Sequence, residues 1–483
     1  MQKIRKEHKY KNQVKKLKKH HSTLSRRDFL KLLGLGGAGL GAAAVSAPVV
    51  HDLDELMDLP EAAGKRPWFV REVDKPTCDV DWDIMQRFDY SEVMWAGGLR
   101  KALGVEEFER ILEIGRENRL LWMQESRPGY TLKEVALHGA NHYAPYSFLG
   151  PQSSPTPEAL GIPRYEGTPE ENTQLVRAFL RLHGASQVGF VELDTNTTEK
   201  FIYTHDYISW HTRPFGQGPR LDILDVDEPS EGDGYRVIPK KARWVIVYAL
   251  RMSDDLMKLA PTKLGNRAQY YMYELKSLIQ GQLQNFLRTL GYMGLGEVSR
   301  YNALGIAPAF AVMCGMGELS RMGHVITPEF GLRQRVFKLI TDMPLAPGKP
   351  IDFGAMNFCR TCKKCADNCP PQAITKDTEP SWDTRGKPYH SPGVKAWYWP
   401  QENCQAYWRQ IQECSICYAV CPLSKGGSKA IYHDLQRWAT ANTPVFNRFF
   451  RNIDDFLDFG RRSKPEEIEG WWDLDLPPWG YVD

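Results

Sequence analysis

The stretch Cys359-Arg-Thr-Cys362-Lys-Lys-Cys365-Ala-Asp-Asn-Cys369-Pro370 decides how the chain is read. Its spacing, C-x2-C-x2-C-x3-C-P, lets three closely spaced thiolates each hold one corner of a [4Fe–4S] cube, while the fourth crosses to a second cube. The rule demands a second set, and one follows: Cys404, then Cys414-Ser-Ile-Cys417-Tyr-Ala-Val-Cys421-Pro422. Nine residues separate Cys404 from Cys414 where the usual run has two. By the crossover, cluster one takes Cys359, Cys362, Cys365 and Cys421, and cluster two takes Cys404, Cys414, Cys417 and Cys369. Eight cysteines in this order, each run closing on Cys-Pro, favour two cubane clusters over structural zinc or disulfides.

Ten cysteines less these eight leave Cys78 and Cys314, far apart in sequence and read as free buried thiols. The cysteine usage therefore reports metal and not an oxidising disulfide framework. The overall charge of +3 conceals an asymmetry, because residues 1–50 carry twelve Lys/Arg against Glu7 and Asp28. Without them the body is acidic, which gives no electrostatic basis for nucleic-acid binding.

The basic N-terminal run leads into Ser25-Arg26-Arg27-Asp28-Phe29-Leu30-Lys31, a twin-arginine signal, and then the charge-free Gly/Ala-rich segment 32–50. Residues 1–47 are expected to be an export signal, with small-x-small cut sites at Ala42-Ala43-Ala44 and Ala44-Val45-Ser46. Residues 48–165 form an N-terminal unit with a helical pattern at 106–118. It is rich in aromatic side chains (Trp82, Trp95, Trp122, His138, His142, Tyr143, Tyr146) that more often pack than line a pocket. Residues 166–345 read as an α/β core: an amphipathic helix at 172–183, strands at 188–193 and 200–203, and an apolar run at 243–250 typical of a strand covered on both faces. Met272, Leu275, Ile279, Leu283, Phe286 and Leu290 then mark a long helix that Gly291 stops, and 335–341 is a further strand. Between them, Gly305, Gly315 and Gly317 mark a small-residue segment where backbone could approach a flat ligand. A breaker-rich linker at 344–350 opens a cluster unit, 346–425, and residues 426–483 form a C-terminal strap.

The export signal, the α/β body and the two-cluster unit together resemble the corrinoid-dependent reductive dehalogenases of organohalide-respiring bacteria. The resemblance is closest over 243–425, where Leu290-Gly291-Tyr292, Gly315-x-Gly317-Glu318, Ile326-Thr327-Pro328, Phe330-Gly331 and Thr341-Asp342-x-x-Leu345-Ala346-Pro347 match the family pattern. It implies an α/β (α+β) fold, a nitroreductase-like core holding a base-off cobamide, with a C-terminal ferredoxin-like unit. It implies a Co(I) corrinoid fed by two [4Fe–4S] clusters, removing halide from a chlorinated alkene or arene as a terminal electron acceptor in anaerobic respiration. No Asp-x-His-x-x-Gly run is present, so no residue is named as a cobalt ligand.

The family's proton donor is a tyrosine near the start of the helix before Leu-Gly-Tyr. Counting back gives Tyr273, with Tyr270 and Tyr271 within a small gap of it. A tyrosine is a competent neutral donor at pH 7, and a cation beside it stabilises the phenolate left behind. The family pattern places that cation at Arg335 and an asparagine at Asn302, where this loop is three residues longer than the pattern. The same resemblance makes Gly305, Gly315 and Gly317 candidate corrinoid contacts. It further implies an external low-potential electron donor, a small membrane-anchor subunit, no nucleic-acid partner, and a peripheral place on the outer face of the cytoplasmic membrane. Two other readings compete: an epoxyqueuosine-reductase-like corrinoid enzyme, which the export signal and acidic body oppose, and a non-catalytic ferredoxin-like relay subunit, which leaves the α/β body idle.

Overall fold

A computed structural model of the chain describes residues 69–206, 218–424, 436, 439–442, 445, 447–456 and 460–473. The export signal and the end of the C-terminal strap lie outside the described residues. The elements that position the site, in chain order, are helix α1 (Val105–Gln124), helix α2 (Pro169–Leu182), strand β1 (Gln187–Glu192), strand β2 (Trp244–Arg251), helix α3 (Lys263–Leu290), strand β3 (Gly294–Leu295), helix α4 (Ala307–Met313) and strand β4 (Gln334–Thr341).

The four strands make an antiparallel sheet in the order β1-β2-β4-β3, with Gly189 opposite Val247, Lys338 opposite Val247 and Ile340 opposite Leu295. The apolar run at 243–250 is covered on both faces, as its pattern predicts. Ile246, Tyr248 and Leu250 enter the core that also holds Ala268, Met272, Ile279, Leu283 and Leu287 of α3. Val245, Val247 and Ala249 point the other way, into a core shared with Phe310, Ala311 and Val312 of α4. Helices on both faces of an antiparallel sheet give the mixed α and β architecture expected.

Helix α3 begins earlier than its apolar spacing shows, because Thr262 caps it: the hydroxyl accepts the Gly265 N–H at 3.1 Å. Residues 200–203 are not a strand. Thr198–Phe201 is a 3-10 turn, and only Ile202 bridges, to Gly305. Phe201 is apolar there because its ring meets Phe310 edge-on at 5.3 Å, so core packing and not a ladder explains the short hydrophobic run. A three-stranded sheet of Arg220–Leu224, Tyr235–Pro239 and Ser230–Gly232 lies in a stretch too polar to be read as strands.

The cluster unit is carried by helices α5 (Ala355–Cys362), α6 (Lys364–Asp367), α7 (Gln401–Gln410) and α8 (Ile416–Val420). Glu318 ties it to the core. The buried carboxylate accepts the N–H groups of Phe353 at 3.0 Å and Ala355 at 2.8 Å, at the entry to α5. At the other end of the chain, the Trp472 indole N–H donates to Glu134 Oε1 at 2.8 Å, so the described part of the strap packs on the body.

Candidate functional site

Helix α5 presents Cys359 and Cys362, then Lys363 enters the left-handed region (φ 53°) and turns the chain into α6 with Cys365. Cys359, Cys362 and Cys365 line one cavity together with Cys421 from the second run, and Arg321, Phe358 and Leu423 close it. This is the set drawn from the crossover. Cys404 on α7 lies near Cys414 and Cys369, and Cys417 feels Cys414, Cys404, Cys365 and Cys369, so the other four lie together with Cys417 also close to Cys365 of the first set. The thiols surround a space and do not converge on a point: among the described residues, no three His, Cys, Asp or Glu groups are placed to hold a single ion. Burial, with help from neighbouring thiols, pushes Cys359 and Cys404 up to about 12 and Cys414 up to about 11. A thiolate at this depth is stabilised by a bound metal cation. Cys78 and Cys314 are buried and unbridged, as expected of spare thiols.

Beside the first set stands Arg321, 1% exposed, which nothing in its sequence surroundings marks. Its guanidinium donates to the carbonyl oxygens of Cys359 (2.7 Å), Thr375 (2.9 Å) and Asp377 (2.6 Å) and covers the Trp397 ring at 4.7 Å. A positive charge is thereby fixed against the cluster-one cavity.

The second half of the site forms where α3 faces β4. Arg335 and Phe337 share one face of β4 by strand alternation. The Arg335 Cζ lies 5.6 Å from the centre of the Tyr273 ring and 5.5 Å from that of Tyr418, which follows Cys417. One Arg335 nitrogen donates to Gln269 Oε1, another reaches the Tyr418 hydroxyl at 3.5 Å, and Nε is buried with no hydrogen-bond partner among the described residues. Burial would lower the Arg335 pKa, but the phenols of Tyr273 and Tyr418 outweigh it and leave it raised. The Tyr146 hydroxyl donates to the Tyr273 carbonyl at 2.8 Å and fixes that turn of α3.

The two neighbouring tyrosines have other company. Tyr270 packs edge-on against His138 at 4.8 Å, and burial and Glu413 drive its pKa well up. His138 bonds Glu413 at 3.0 Å. Tyr271 sits under Arg267 at 5.7 Å. Of the three, Tyr273 is the one whose ring lies against both Arg335 and Tyr301.

A wall of rings continues from Tyr273 to Tyr301 (6.0 Å), from Tyr301 to Trp95 (5.0 Å) and from Trp95 to Trp408 (4.7 Å). Arg300 lies over Tyr301 at 4.6 Å and Tyr143 at 5.1 Å, and Arg409 over Trp95 at 4.8 Å. Among the N-terminal aromatics, Trp95, His138, Tyr143 and Tyr146 thus reach the site. Trp82 packs on Phe201 and Trp122 on Tyr130, in the core and elsewhere on the surface.

Asn302 follows Tyr301 with a left-handed backbone (φ 33°), a conformation asparagine tolerates. Its Oδ1 accepts from Lys338 Nζ at 2.8 Å. Lys338 also bonds Glu297 Oε1 at 2.8 Å, and Lys276, on α3 three residues after Tyr273, bonds Glu297 Oε2 at 2.9 Å. Burial lowers Lys276 to about 8 despite Glu297. These three charged residues were invisible as a group in the sequence, since lysines and glutamates ordinarily mark surfaces.

The glycines make room for the protein's own backbone. A Cβ on Gly305 would stand 2.5 Å from the Phe201 carbonyl oxygen, and one on Gly317 would stand 2.1 Å from that of Ile326. Gly315 takes φ 76° just past α4.

The chain is similar to known proteins along most of its length. Residues 65–144 and 141–345 match the family model of the reductive dehalogenase subunit, and residues 358–424 match a 4Fe-4S double cluster binding domain. The chain is 29% identical to a chloroethene reductive dehalogenase of Dehalococcoides mccartyi (strain VS), covering 96% of this chain and 99% of that one. It is 34% identical to a tetrachloroethene reductive dehalogenase of Sulfurospirillum multivorans over 65% of this chain and 61% of the relative. A solved catabolic reductive dehalogenase in complex with 3-bromo-4-hydroxybenzoic acid shares the fold, with a TM-score of 0.57 and 20% identity. The match covers 84% of this chain and about half (51%) of that one.

Proposed function

We propose, from the premise that the chain belongs to the reductive dehalogenase family, that it removes halide from a chlorinated alkene or arene at the wall formed by Tyr273, Tyr301 and Trp95. The net change takes up two electrons and one proton: a carbon–halogen bond breaks, a carbon–hydrogen bond forms and halide leaves. The observation that carries the reading is Arg335 set over Tyr273 beside two gathered thiol quartets.

The donors here suit a corrinoid: Arg335 Nε and Arg409 Nε are buried without a hydrogen-bond partner among the described residues, and a ring rimmed with amides would offer them acceptors. When bound, the corrinoid supplies a strongly reducing cobalt centre, and the clusters supply its electrons. Arg335 and Arg409 are the residues that would hold its rim.

The protein's own part follows from its side chains. The rings of Trp95, Tyr301 and Trp408 offer flat apolar surface that excludes water from an uncharged halocarbon. Tyr273 gives its hydroxyl proton to the carbon that has lost halide. Arg335 stabilises the negative charge then left on the phenol oxygen.

The remaining expectations concern the whole protein in its setting. Residues 25–31 direct export by the twin-arginine route. Among the described residues, no helix is long and apolar enough to cross a membrane. A small membrane-anchor subunit on the outer face and a low-potential donor complete the respiratory arrangement. Cell fractionation tests the location: recovery of the mature protein away from membranes contradicts it. Halide release from chloroethene and chloroarene panels, with anaerobically reconstituted protein and a one-electron donor, tests the reaction. Release from neither panel overturns the reading.

A further inference from the structure

Arg335 carries a charge that the site uses, yet among the described residues no carboxylate pairs with it; neutral groups alone hold it. One guanidinium nitrogen donates to Gln269 Oε1, and another reaches the Tyr418 hydroxyl at 3.5 Å. A carboxylate in either place would also fix the guanidinium, but would cancel the field it casts on the Tyr273 ring, 5.6 Å away. Gln269 stands one turn before Tyr273 on α3, so the two side chains share the face that meets Arg335.

A guanidinium only donates, so the atom of Gln269 that meets it is the carbonyl oxygen, and the amide has one orientation. Its NH2 group donates to Asn266 Oδ1 at 2.7 Å and to Ser415 Oγ at 3.2 Å. Asn266 is oriented in turn. Its Oδ1 also accepts from the Ser415 hydroxyl at 3.4 Å, and its NH2 donates to the Thr262 carbonyl at 3.3 Å. Gln269 is 7% exposed and Asn266 1%. Buried amides are costly unless paired, and here the pairs form one chain from Arg335 to Ser415. Ser415 lies between Cys414 and Cys417, with a left-handed backbone (φ 61°), and its carbonyl accepts the Tyr418 N–H at 3.1 Å. Both anchors of Arg335, Gln269 by way of Ser415 and Tyr418 directly, thus lead to the loop that carries cluster two.

We propose that Gln269 is a positioning residue: through Asn266 and Ser415 it ties Arg335 to the cluster-two loop and holds the guanidinium over Tyr273 without neutralising it. The use made of Arg335 rests on the dehalogenation reading; its placement does not, and the test separates the two. An arginine side chain without these partners regains rotamer freedom, and a preset charge is worth more than one that must first be brought to the ring.

The test pairs diffraction from anaerobically reconstituted holoprotein with initial rates of halide release at matched iron content. In Gln269→Met the guanidinium is expected to leave the Tyr273 ring. There kcat falls about tenfold, the size of one hydrogen bond to a charged group, with KM unchanged, because the cation acts on charge that appears only as the proton departs. Gln269→Glu keeps the guanidinium in place but pairs it with a carboxylate, so kcat falls at least as far with no movement. Ser415→Gly, which suits the left-handed backbone, leaves Gln269 its bond to Asn266 and costs about threefold. In the Arg335→Met background, Gln269→Met costs nothing further, whereas a merely structural amide would cost the same in both backgrounds. A guanidinium unmoved in Gln269→Met, wild-type kcat in Gln269→Glu, or equal losses with and without Arg335 would each overturn the proposal. If Arg335 moves in Gln269→Met and stays in Gln269→Glu while no organohalide releases halide, the positioning stands and the dehalogenation reading falls.

Discussion

Replacing Arg335 by methionine removes the cation over Tyr273 while keeping most of the side-chain volume. The guanidinium carbon is 5.6 Å from the ring centre. At an effective dielectric of about 20, a full negative charge placed at the ring centre gains about 3 kcal/mol from the cation. Each ~1.4 kcal/mol is a factor of ten, so the variant should lose roughly 100-fold in the rate of halide release. Arg335→Lys keeps the charge but not the fork that reaches Gln269 and Tyr418, and should recover part of the loss. The assay is initial halide release at saturating substrate with a chemical one-electron donor, on preparations matched for iron content and thermal midpoint. Arg335→Met within threefold of wild type, at matched cofactor content, would refute the electrostatic role given to Arg335.

Two further outcomes follow from buried cations. Lys276 has its folded pKa lowered to about 8 by burial, against 10.5 for a free lysine. Between about pH 8 and 10.5 the unfolded chain thus holds a proton there that the folded chain has released, and stability gains with rising pH. The thermal midpoint of wild type, measured relative to Lys276→Met, should climb across that window and stay level below it; a fall across it contradicts the burial argument. Arg321→Met takes the Arg321 donor from the carbonyls of Cys359 and Thr375, while that of Asp377 keeps the Trp397 indole N–H at 3.1 Å. Each buried acceptor left unpaired costs about 1–3 kcal/mol. The variant should melt earlier and, having lost a cation beside cluster one, show a more negative midpoint for that cluster in a redox titration followed by electron paramagnetic resonance. An unchanged midpoint removes Arg321 from the site.

What was legible in the sequence is what local spacing dictates. The thiol order Cys359 to Cys421 specifies which cysteines gather, because the crossover is a property of the run itself. Helix α3 and strand β2 announce themselves by period, since one buries a stripe and the other both faces. Residues 200–203 misled because a 3-10 turn that inserts Phe201 into the core carries the same short apolar run as a strand. The sheet at 220–239 was hidden by its exposed, charged members such as Arg220 and Glu231. Aromatic side chains carry no direction in a sequence, so Trp95 at the site and Trp122 on Arg127 read alike. The Lys276–Glu297–Lys338 group needed the fold to assemble it from a helix, a loop and a strand.

The measurement that bears most directly on the account is metal content and halide release determined together, on wild type and Tyr273→Phe reconstituted anaerobically with iron, sulfide and a corrinoid. The account predicts about eight irons for two cubane clusters and one cobalt per chain in both proteins, with halide release in wild type alone. Iron without cobalt uptake, or undiminished halide release from Tyr273→Phe, would contradict it.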